Sequence, residues 1–250
     1  MSGLLGAIQF LTRVPIRLPE AVARERIVPW FPLVGALIGA LVGGIAVGLG
    51  ELVPSGVAVT CAVVVGLLVT GAFHEDGLAD VADAFGGGIT RERRFEILAD
   101  PRHGTYGVAA LCSSVVLRVV TAMAIASSAA VFAGFVVAHT LGRAAAVVAM
   151  GVVPSARDHG LGAEHAQRLR PLATTVGVLT GLVVSTVLVG WWIGPIVAVT
   201  LAATGATVWL ALRKIGGLVG DVLGAIEQVV ECVVLVTVCG LAARHAVWWG

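Results

Sequence analysis

The sequence predicts an all-α fold, a polytopic integral membrane helical bundle of about seven transmembrane helices. Of its 250 residues, 58% are hydrophobic and only 12% are charged, and the mean hydropathy is +1.00. A soluble domain is typically about one-quarter charged. Apolar runs of about twenty residues, the length that crosses a bilayer, recur along the chain. These properties predict that the lipid bilayer is the solvent of most of this protein.

The predicted spans follow from the apolar runs taken in order. They lie at about 30–51, 55–73, 107–128, 130–152, 172–190, 193–212 and 222–242. Several connections between them are short, so neighbouring runs pair as helical hairpins. Because a tightly paired run can be re-entrant, six to eight spans are compatible with the pattern. We find no internal repeat and predict a single membrane domain over residues 1–250.

Two further segments have predicted roles in the bundle. The amphipathic N-terminus up to Arg17 is short enough to lie in the membrane interface. Gly35, Gly39 and Gly43 have the small-xxx-small spacing that lets membrane helices approach closely. We therefore predict that this glycine stripe packs against another helix.

The distribution of basic residues predicts the orientation. If every hairpin is a double span, one side carries thirteen of the sixteen Lys and Arg residues: Arg13, Arg17, Arg24, Arg26, Arg91, Arg93, Arg94, Arg102, Arg157, Arg168, Arg170, Arg213 and Lys214. By the positive-inside rule that side is the cytoplasm. We predict a multi-pass protein of the plasma (inner) membrane. A net charge of +1 argues against nucleic acid as a partner.

Residues 74–106 form a polar segment in this apolar chain, and we expect the active site there, facing the cytoplasm. The segment holds seven of the fifteen acidic residues. Asp76, Asp80 and Asp83 fall at i, i+4 and i+7, so a helix places them on one face. Like charges at this spacing destabilise an isolated helix, unless a metal ion or a basic partner lies between them.

The chemistry of this stripe favours a hard cation. Carboxylate oxygens without cysteine suit Mg²⁺ or manganese rather than zinc, and Mg²⁺ commonly bridges carboxylates to substrate phosphates. We therefore predict Asp76, Asp80 and Asp83 as metal ligands beside a phosphate-bearing substrate. The alternative is a solvated segment whose acids pair with Arg91, Arg93 and Arg94.

A second group of candidates precedes the third span. Asp100 could complete the metal site, Arg102 could bind phosphate oxygens in bidentate fashion, and His103 could move a proton. The alternative is a capped helix start with interfacial residues. Asp221, at the start of the last span, is either a helix N-cap or a further ligand.

Ionisable residues also lie inside the predicted spans. Arg118, Arg143, Glu227 and Glu231 are costly in a bilayer and face the bundle interior or a polar cavity. His139 lies one turn from Arg143. A structural pairing between these arginines and Glu227 and a contact with substrate are both compatible with the sequence.

Together these residues resemble the cobalamin synthase family, the adenosylcobinamide-GDP ribazoletransferases. The resemblance covers nearly the whole chain, and its most specific block is HEDGLADVAD at 74–83. It continues through Asp100-x-Arg102-x-Gly104-Thr105-Tyr106-Gly107 and closes with GDVLGA at 220–225. Glu75 stands where the family commonly has an apolar residue. No departure removes an aspartate of the stripe.

The resemblance implies a Mg²⁺-dependent transferase. Its reaction moves the cobinamide phosphate of adenosylcobinamide-GDP to α-ribazole or α-ribazole 5′-phosphate, giving adenosylcobalamin or its 5′-phosphate and GMP. It implies Asp76, Asp80, Asp83, Arg102 and His103 as catalytic residues, the three aspartates as metal ligands, and Asp100, Gly104 and Asp221 as binding residues. The sequence leaves the oligomeric state open.

Two other functions compete with this interpretation. A CDP-alcohol phosphotransferase also uses clustered aspartates beside a membrane, but position 80 is Asp where that family's motif requires Arg. A secondary transporter would place its essential charges at the bilayer midplane. The densest acidic cluster here instead lies in a connection between spans.

Overall fold

A computed structural model describes residues 2–18, 22–156 and 171–250, without the side chain of residue 24. Arg157, Arg168 and Arg170, three of the predicted cytoplasmic arginines, lie outside the described residues. The helices are α1 Ser2–Leu11, α2 Arg24–Ile27, α3 Phe31–Gly50, α4 Ser55–Thr70, α5 Phe73–Gly87, α6 Arg91–Ile97, α7 Thr105–Met123, α8 Ser128–Val152, α9 Pro171–Val189, α10 Ile193–Ile215 and α11 Gly220–Ala242. The described part of the chain contains no strand, only one bridge between Ser155 and Leu218.

The structure confirms an all-α bundle with helices long and apolar enough to cross a membrane. Among the described residues five such segments occur: Glu25–Gly50, Thr105–Met123, Ser128–Val152, Pro171–Ile215 and Gly220–Ala242. A sixth would be the bent pair α4 and α5, if both halves belong to one span. The predicted total of seven is not established by this count and stays a prediction.

The segment Pro171–Ile215 has 45 residues, about twice the length of one span, and both of its ends lie near the C-terminal end of α8. Its first residue lines a groove with Val148 and Val152, near the C-terminal end of α8. Three residues beyond its other end, the backbone N–H of Leu218 donates to the carbonyl of Pro154 at 2.9 Å. Gly190, between α9 and α10, has a φ of +56°, a conformation that glycine adopts without strain. The sequence prediction of a hairpin here is confirmed.

Helix α8 is the central element, and α3 packs closely along it. A Cβ atom added to Gly39 would lie 2.6 Å from Cα of Val136, and one added to Gly43 would lie 3.1 Å from Cα of Phe132. Only glycine permits such an approach, which gives the two helices a long contact without any hydrophobic driving force from water. The predicted role of the glycine stripe is confirmed.

Helix α5 carries the acidic stripe and leaves the direction of α4 by 88°. The bend is made by two consecutive left-handed residues, Gly71 with φ +68° and Ala72 with φ +54°. Because α5 also carries four carboxylates, we treat it as an interfacial helix outside the spanning segments. It packs against the start of α11, where a Cβ on Gly77 would lie 2.8 Å from the carbonyl oxygen of Asp221.

Candidate active site

Asp76, Asp80 and His103 form one cluster at the surface of the bundle. His103 Nε2 lies 3.4 Å from Asp76 Oδ1, and His103 Nδ1 lies 3.4 Å from Asp80 Oδ1. One potential ligand atom from each residue lies within 4.8 Å of the others. The Asp76 side chain is 63% exposed, whereas that of Asp80 is 15% exposed. The cluster is therefore open to a ligand on the Asp76 side.

Asp80 lies in a strongly negative environment. Partial burial, followed by the charges of Asp76 and Asp221, raises the pKa of Asp80 from 3.8 to about 6. His103 opposes the rise and Asp83 adds to it. The part of this rise that comes from Asp76 and Asp221 is charge repulsion, which a bound divalent cation would relieve.

Asp83 faces a different partner, the N-terminus of α7. Its Oδ2 accepts a hydrogen bond from the backbone N–H of Gly104 at 2.6 Å, and its Oδ1 accepts one from Gly107 at 2.9 Å. Gly104 is the N-cap of α7, so a side chain from α5 satisfies two of the helix's unpaired donors. The contact holds the loop that carries His103 against the aspartates.

The three stripe aspartates therefore separate into two sets. At 100° per residue, Asp80 lies about 40° to one side of Asp76 and Asp83 about 20° to the other. The first two meet His103, while Asp83 meets the backbone of α7. An ionised carboxylate has about four acceptor positions, so the metal-ligand role of Asp83 remains a prediction beside its structural one.

Asp100 and Arg102 pair with each other. Arg102 donates from Nε to Oδ1 at 2.9 Å and from Nη2 to Oδ2 at 2.7 Å. These bonds lower the pKa of Asp100 to about 2. The Arg102 side chain is 86% exposed. The guanidinium of Arg102, predicted to bind phosphate, is thus already hydrogen-bonded to the carboxylate of Asp100.

Asp221 lies in the first turn of α11, and the N-cap of that helix is Val219. The alternative of Asp221 as an N-cap is therefore wrong: Leu218 is held in a bridge to Ser155, and the extended Val219 begins the helix. Asp221 instead adds negative charge beside Asp80. This position suits the other interpretation, a further ligand.

The arginines of α6 and its neighbours do not neutralise the acidic stripe. Arg91 donates to the carbonyl of Ile215 at 2.9 Å, and Arg94 donates to that of Lys214 at 2.9 Å. Arg93 pairs with Glu96 at 2.7 Å. In the part of the chain that the structure describes, Arg91 and Arg94 thus hold the C-terminal end of α10, and Arg93 pairs within α6. The interpretation of the stripe as a solvated, arginine-paired segment is not supported.

The ionisable residues inside the spans form a closed network. Arg143 Nη2 lies 2.6 Å from Glu227 Oε1, and its Nη1 lies 2.9 Å from Glu231 Oε1. His139 Nδ1 lies 2.6 Å from the same oxygen of Glu231. All four side chains are at most 8% exposed. The structural pairing left open by the sequence is what the structure contains.

Two residues of this network, His74 and Glu75, were missed by sequence reasoning. Glu75 lies 3.0 Å from Arg118, which also lies 3.2 Å from Glu231. Nε2 of His74 lies 2.8 Å from Glu227 Oε2. Glu75 and His74 open the most specific sequence block, and their neighbours suggested the metal site instead. Glu75 is 3% exposed although it directly precedes the aspartate stripe. Glu75 stands where the resembling family commonly has an apolar residue. A charged residue at such a position was the signal that it is buried beside a partner of opposite charge.

The fold and the site define a class: a multi-pass membrane protein with a carboxylate-rich cluster, Asp76, Asp80 and His103, at one end of its bundle. The family model described as cobalamin-5-phosphate synthase matches residues 3–239. The chain therefore belongs to the cobalamin-5-phosphate synthase family.

Curated relatives agree with that membership. The adenosylcobinamide-GDP ribazoletransferase of Ralstonia nicotianae is 39% identical over 238 residues, covering 92% of this chain and 91% of that protein. The protein of the same name from Azorhizobium caulinodans is 37% identical and covers 96% of both chains. That of Bradyrhizobium diazoefficiens is 45% identical over 67% of this chain and 65% of its own length. No solved structure matches the chain.

Proposed function

We propose that this protein transfers the cobinamide phosphate of adenosylcobinamide-GDP to α-ribazole or its 5′-phosphate. A ribose hydroxyl of the acceptor attacks the cobinamide-linked phosphorus, the bond between that phosphorus and the bridging oxygen breaks, and GMP leaves. Adenosylcobalamin or its 5′-phosphate forms. The names of the relatives and their coverage of this chain support the reaction. The observation that carries its location is the cluster of Asp76, Asp80 and His103.

The residues of the cluster fit Mg²⁺. Asp76 and Asp80 offer two carboxylate oxygens, and Mg²⁺ typically completes its shell with waters and substrate phosphates. Imidazole nitrogen is a less typical ligand of this ion, so we assign His103 to proton movement. When bound, the cation would neutralise charge on the pyrophosphate. Asp221, whose charge acts on Asp80, would be a further residue to hold the cation.

The protein's own contribution is positioning. Asp83 fixes the start of α7 and so keeps His103 within 3.4 Å of both aspartates. His103 accepts the proton of the attacking hydroxyl as the new phosphate ester forms. Arg102 reaches a phosphate oxygen from the exposed loop. Phosphoryl transfer depends mainly on such positioning and on charge neutralisation.

We place the site on the cytoplasmic face of the plasma (inner) membrane. The predicted spans put thirteen of sixteen basic residues on that side. Arg91, Arg94 and Lys214 contact backbone at the same end of the bundle as the aspartates. Nucleotide-bearing substrates are available in the cytoplasm.

The decisive test replaces Asp80 by Asn in protein purified in detergent. With adenosylcobinamide-GDP, α-ribazole and Mg²⁺, Asp80→Asn should abolish GMP release, because it removes one of the two carboxylates that would hold the cation. Glu92→Gln, the same chemical change on the exposed face of α6, should retain wild-type turnover. Near-normal turnover by Asp80→Asn would overturn the assignment of the site.

A further inference from the structure

A pocket lies between α1, α3, α5, α8 and α11, on the far side of α5 from the aspartates. His74 lines it and is about 200° around the helix from Asp76, at 100° per residue. The pocket has a volume of about 60 Å³, several times the roughly 10–15 Å³ that one water requires. Its walls are apolar and partly aromatic: Phe10, Phe31, Phe73, Ala146, Met150 and Leu223.

The floor of the pocket is polar and deeply buried. His74, Arg143 and Glu227 line it and are 5%, 1% and 2% exposed. The Nε2 atom of His74 lies 2.8 Å from Glu227, while its Nδ1 is buried without a hydrogen-bond partner. Leaving a buried polar atom unpaired costs free energy. A ligand that forms a hydrogen bond with Nδ1 of His74 would remove that cost.

The mouth of the pocket opens near the start of α11, the helix that also carries Asp221. The most exposed lining residues are Phe73, at 44%, and Gly220. Gly220 precedes Asp221, whose charge acts directly on Asp80. The pocket and the aspartates are therefore separated by about one helix diameter, roughly 10 Å. A ligand with its ring in the pocket can present an attached sugar toward Asp80.

We propose that this pocket binds the benzimidazole base of the ribazole acceptor. The inference rests on the proposed function and names the acceptor subsite of the same reaction. A planar aromatic ring packs well against phenylalanine faces and edges. A benzimidazole riboside has a single free ring nitrogen, which accepts a hydrogen bond. Nδ1 of His74 donates to it when the imidazole carries a proton on both nitrogens, the one on Nε2 facing Glu227.

The composition of the pocket argues against guanine, the other planar base among the substrates. Guanine presents several donors and acceptors along its edges, and each of them would need a partner once buried. The walls are carbon, and Arg143 and Glu227 are already paired with each other at 2.6 Å. At about 60 Å³ the pocket takes one edge of the base and leaves the rest of the base and the sugar at its mouth. This limit is the same for both bases, so the polarity of the buried edge decides between them.

The test is steady-state kinetics of the full-length protein in lipid nanodiscs. Ala146→Leu fills the pocket and should raise KM for α-ribazole about tenfold or more, the equivalent of roughly 1.4 kcal/mol of lost binding. KM for adenosylcobinamide-GDP should stay unchanged. The control is Val148→Phe, on the same helix but 39% exposed and outside the pocket. A wild-type KM for α-ribazole in Ala146→Leu, or a rise confined to the corrinoid substrate, would overturn the proposal.

A second variant covers the case in which Ala146→Leu does not fold. Met150→Ala enlarges the pocket and should increase kcat/KM for a riboside with a bulkier tricyclic base, relative to α-ribazole. An unchanged ratio would count against the pocket. Equilibrium dialysis of α-ribazole without the second substrate separates this proposal from the proposed function. If α-ribazole binds the wild-type protein and not Ala146→Leu, the pocket is supported even when no GMP is released. If Ala146→Leu binds α-ribazole as the wild type does and the protein turns over, the pocket is refuted and the proposed function stands.

Discussion

Asp83 offers the sharpest distinction between a structural aspartate and a metal ligand. Its carboxylate accepts two backbone hydrogen bonds at the start of α7, from Gly104 at 2.6 Å and from Gly107 at 2.9 Å. Hydrogen bonds to a charged group contribute about 1.5–3 kcal/mol each. In Asp83→Ala the exposed Gly104 can bond water, whereas the N–H of the buried Gly107 stays unpaired. We therefore expect a loss of about 2–4 kcal/mol in the free energy of unfolding.

The assay is equilibrium unfolding in mixed detergent micelles, followed by circular dichroism. Asp83→Asn keeps one acceptor oxygen and should lose about half as much. Asp76→Ala is the matched control on the same helix, because its side chain is 63% exposed and its removal relieves the repulsion on Asp80. Its stability should change by no more than about 0.5 kcal/mol.

Mg²⁺ binding measured on the same samples completes the comparison. Asp76→Ala should lose affinity for the ion without losing stability. Asp83→Ala should lose stability. It should still bind Mg²⁺ under conditions in which the loop that carries His103 stays folded. Wild-type stability of Asp83→Ala combined with lost Mg²⁺ binding would refute the reasoning and assign Asp83 to the metal.

Three further predictions concern charge and packing. Because the pKa of Asp80 is raised from 3.8 to about 6, the metal-free protein should lose stability as pH rises from about 4 to 6. For the same reason the Mg²⁺ affinity, measured by titration calorimetry, should fall as pH drops below about 6. An affinity independent of pH between about 5 and 8 would contradict this. Arg143→Met leaves Glu227 and Glu231 without a principal partner and should destabilise the bundle by about 3–5 kcal/mol in the same unfolding assay, so a near-neutral change would mean that the network is hydrated. Gly39→Ala places a Cβ 2.6 Å from Cα of Val136 and should lower the free energy of unfolding by about 1–3 kcal/mol. Gly44→Ala, where the added Cβ meets nothing within 4 Å, is the control and should be neutral. Equal effects of the two would refute the close packing of α3 on α8.

The bundle could be predicted from the sequence because its signals are local. Apolar length predicts the helices, and the spacing of Gly35 and Gly39 predicts a close helix contact. The cluster of Asp76 and Asp80 also follows from spacing on one helix. His103 was a candidate from its loop, but its contact with both aspartates depends on how α7 begins.

The remaining features depend on contacts between distant helices. Asp83 shares its helix face with the ligand candidates, and only the position of α7 directs it to backbone N–H groups. Glu75 belongs by sequence to the acidic segment and by structure to the buried network with Arg118. The acceptor pocket needs five helices and three phenylalanines, Phe10, Phe31 and Phe73, each from a different helix. No periodicity within one helix encodes such an arrangement.

The closed network also constrains how the chain enters the membrane. Arg143 is synthesised 88 residues before Glu231, and both its glutamate partners lie in the last helix, α11. An arginine at the centre of an inserting helix costs at least about 2.5–3.5 kcal/mol until it is paired. Arg118 has an earlier partner in Glu75, only 43 residues upstream. Helix α8 therefore carries a charge without its glutamate partners until α11 is in place, and removing α11 would leave that charge at the centre of the bundle.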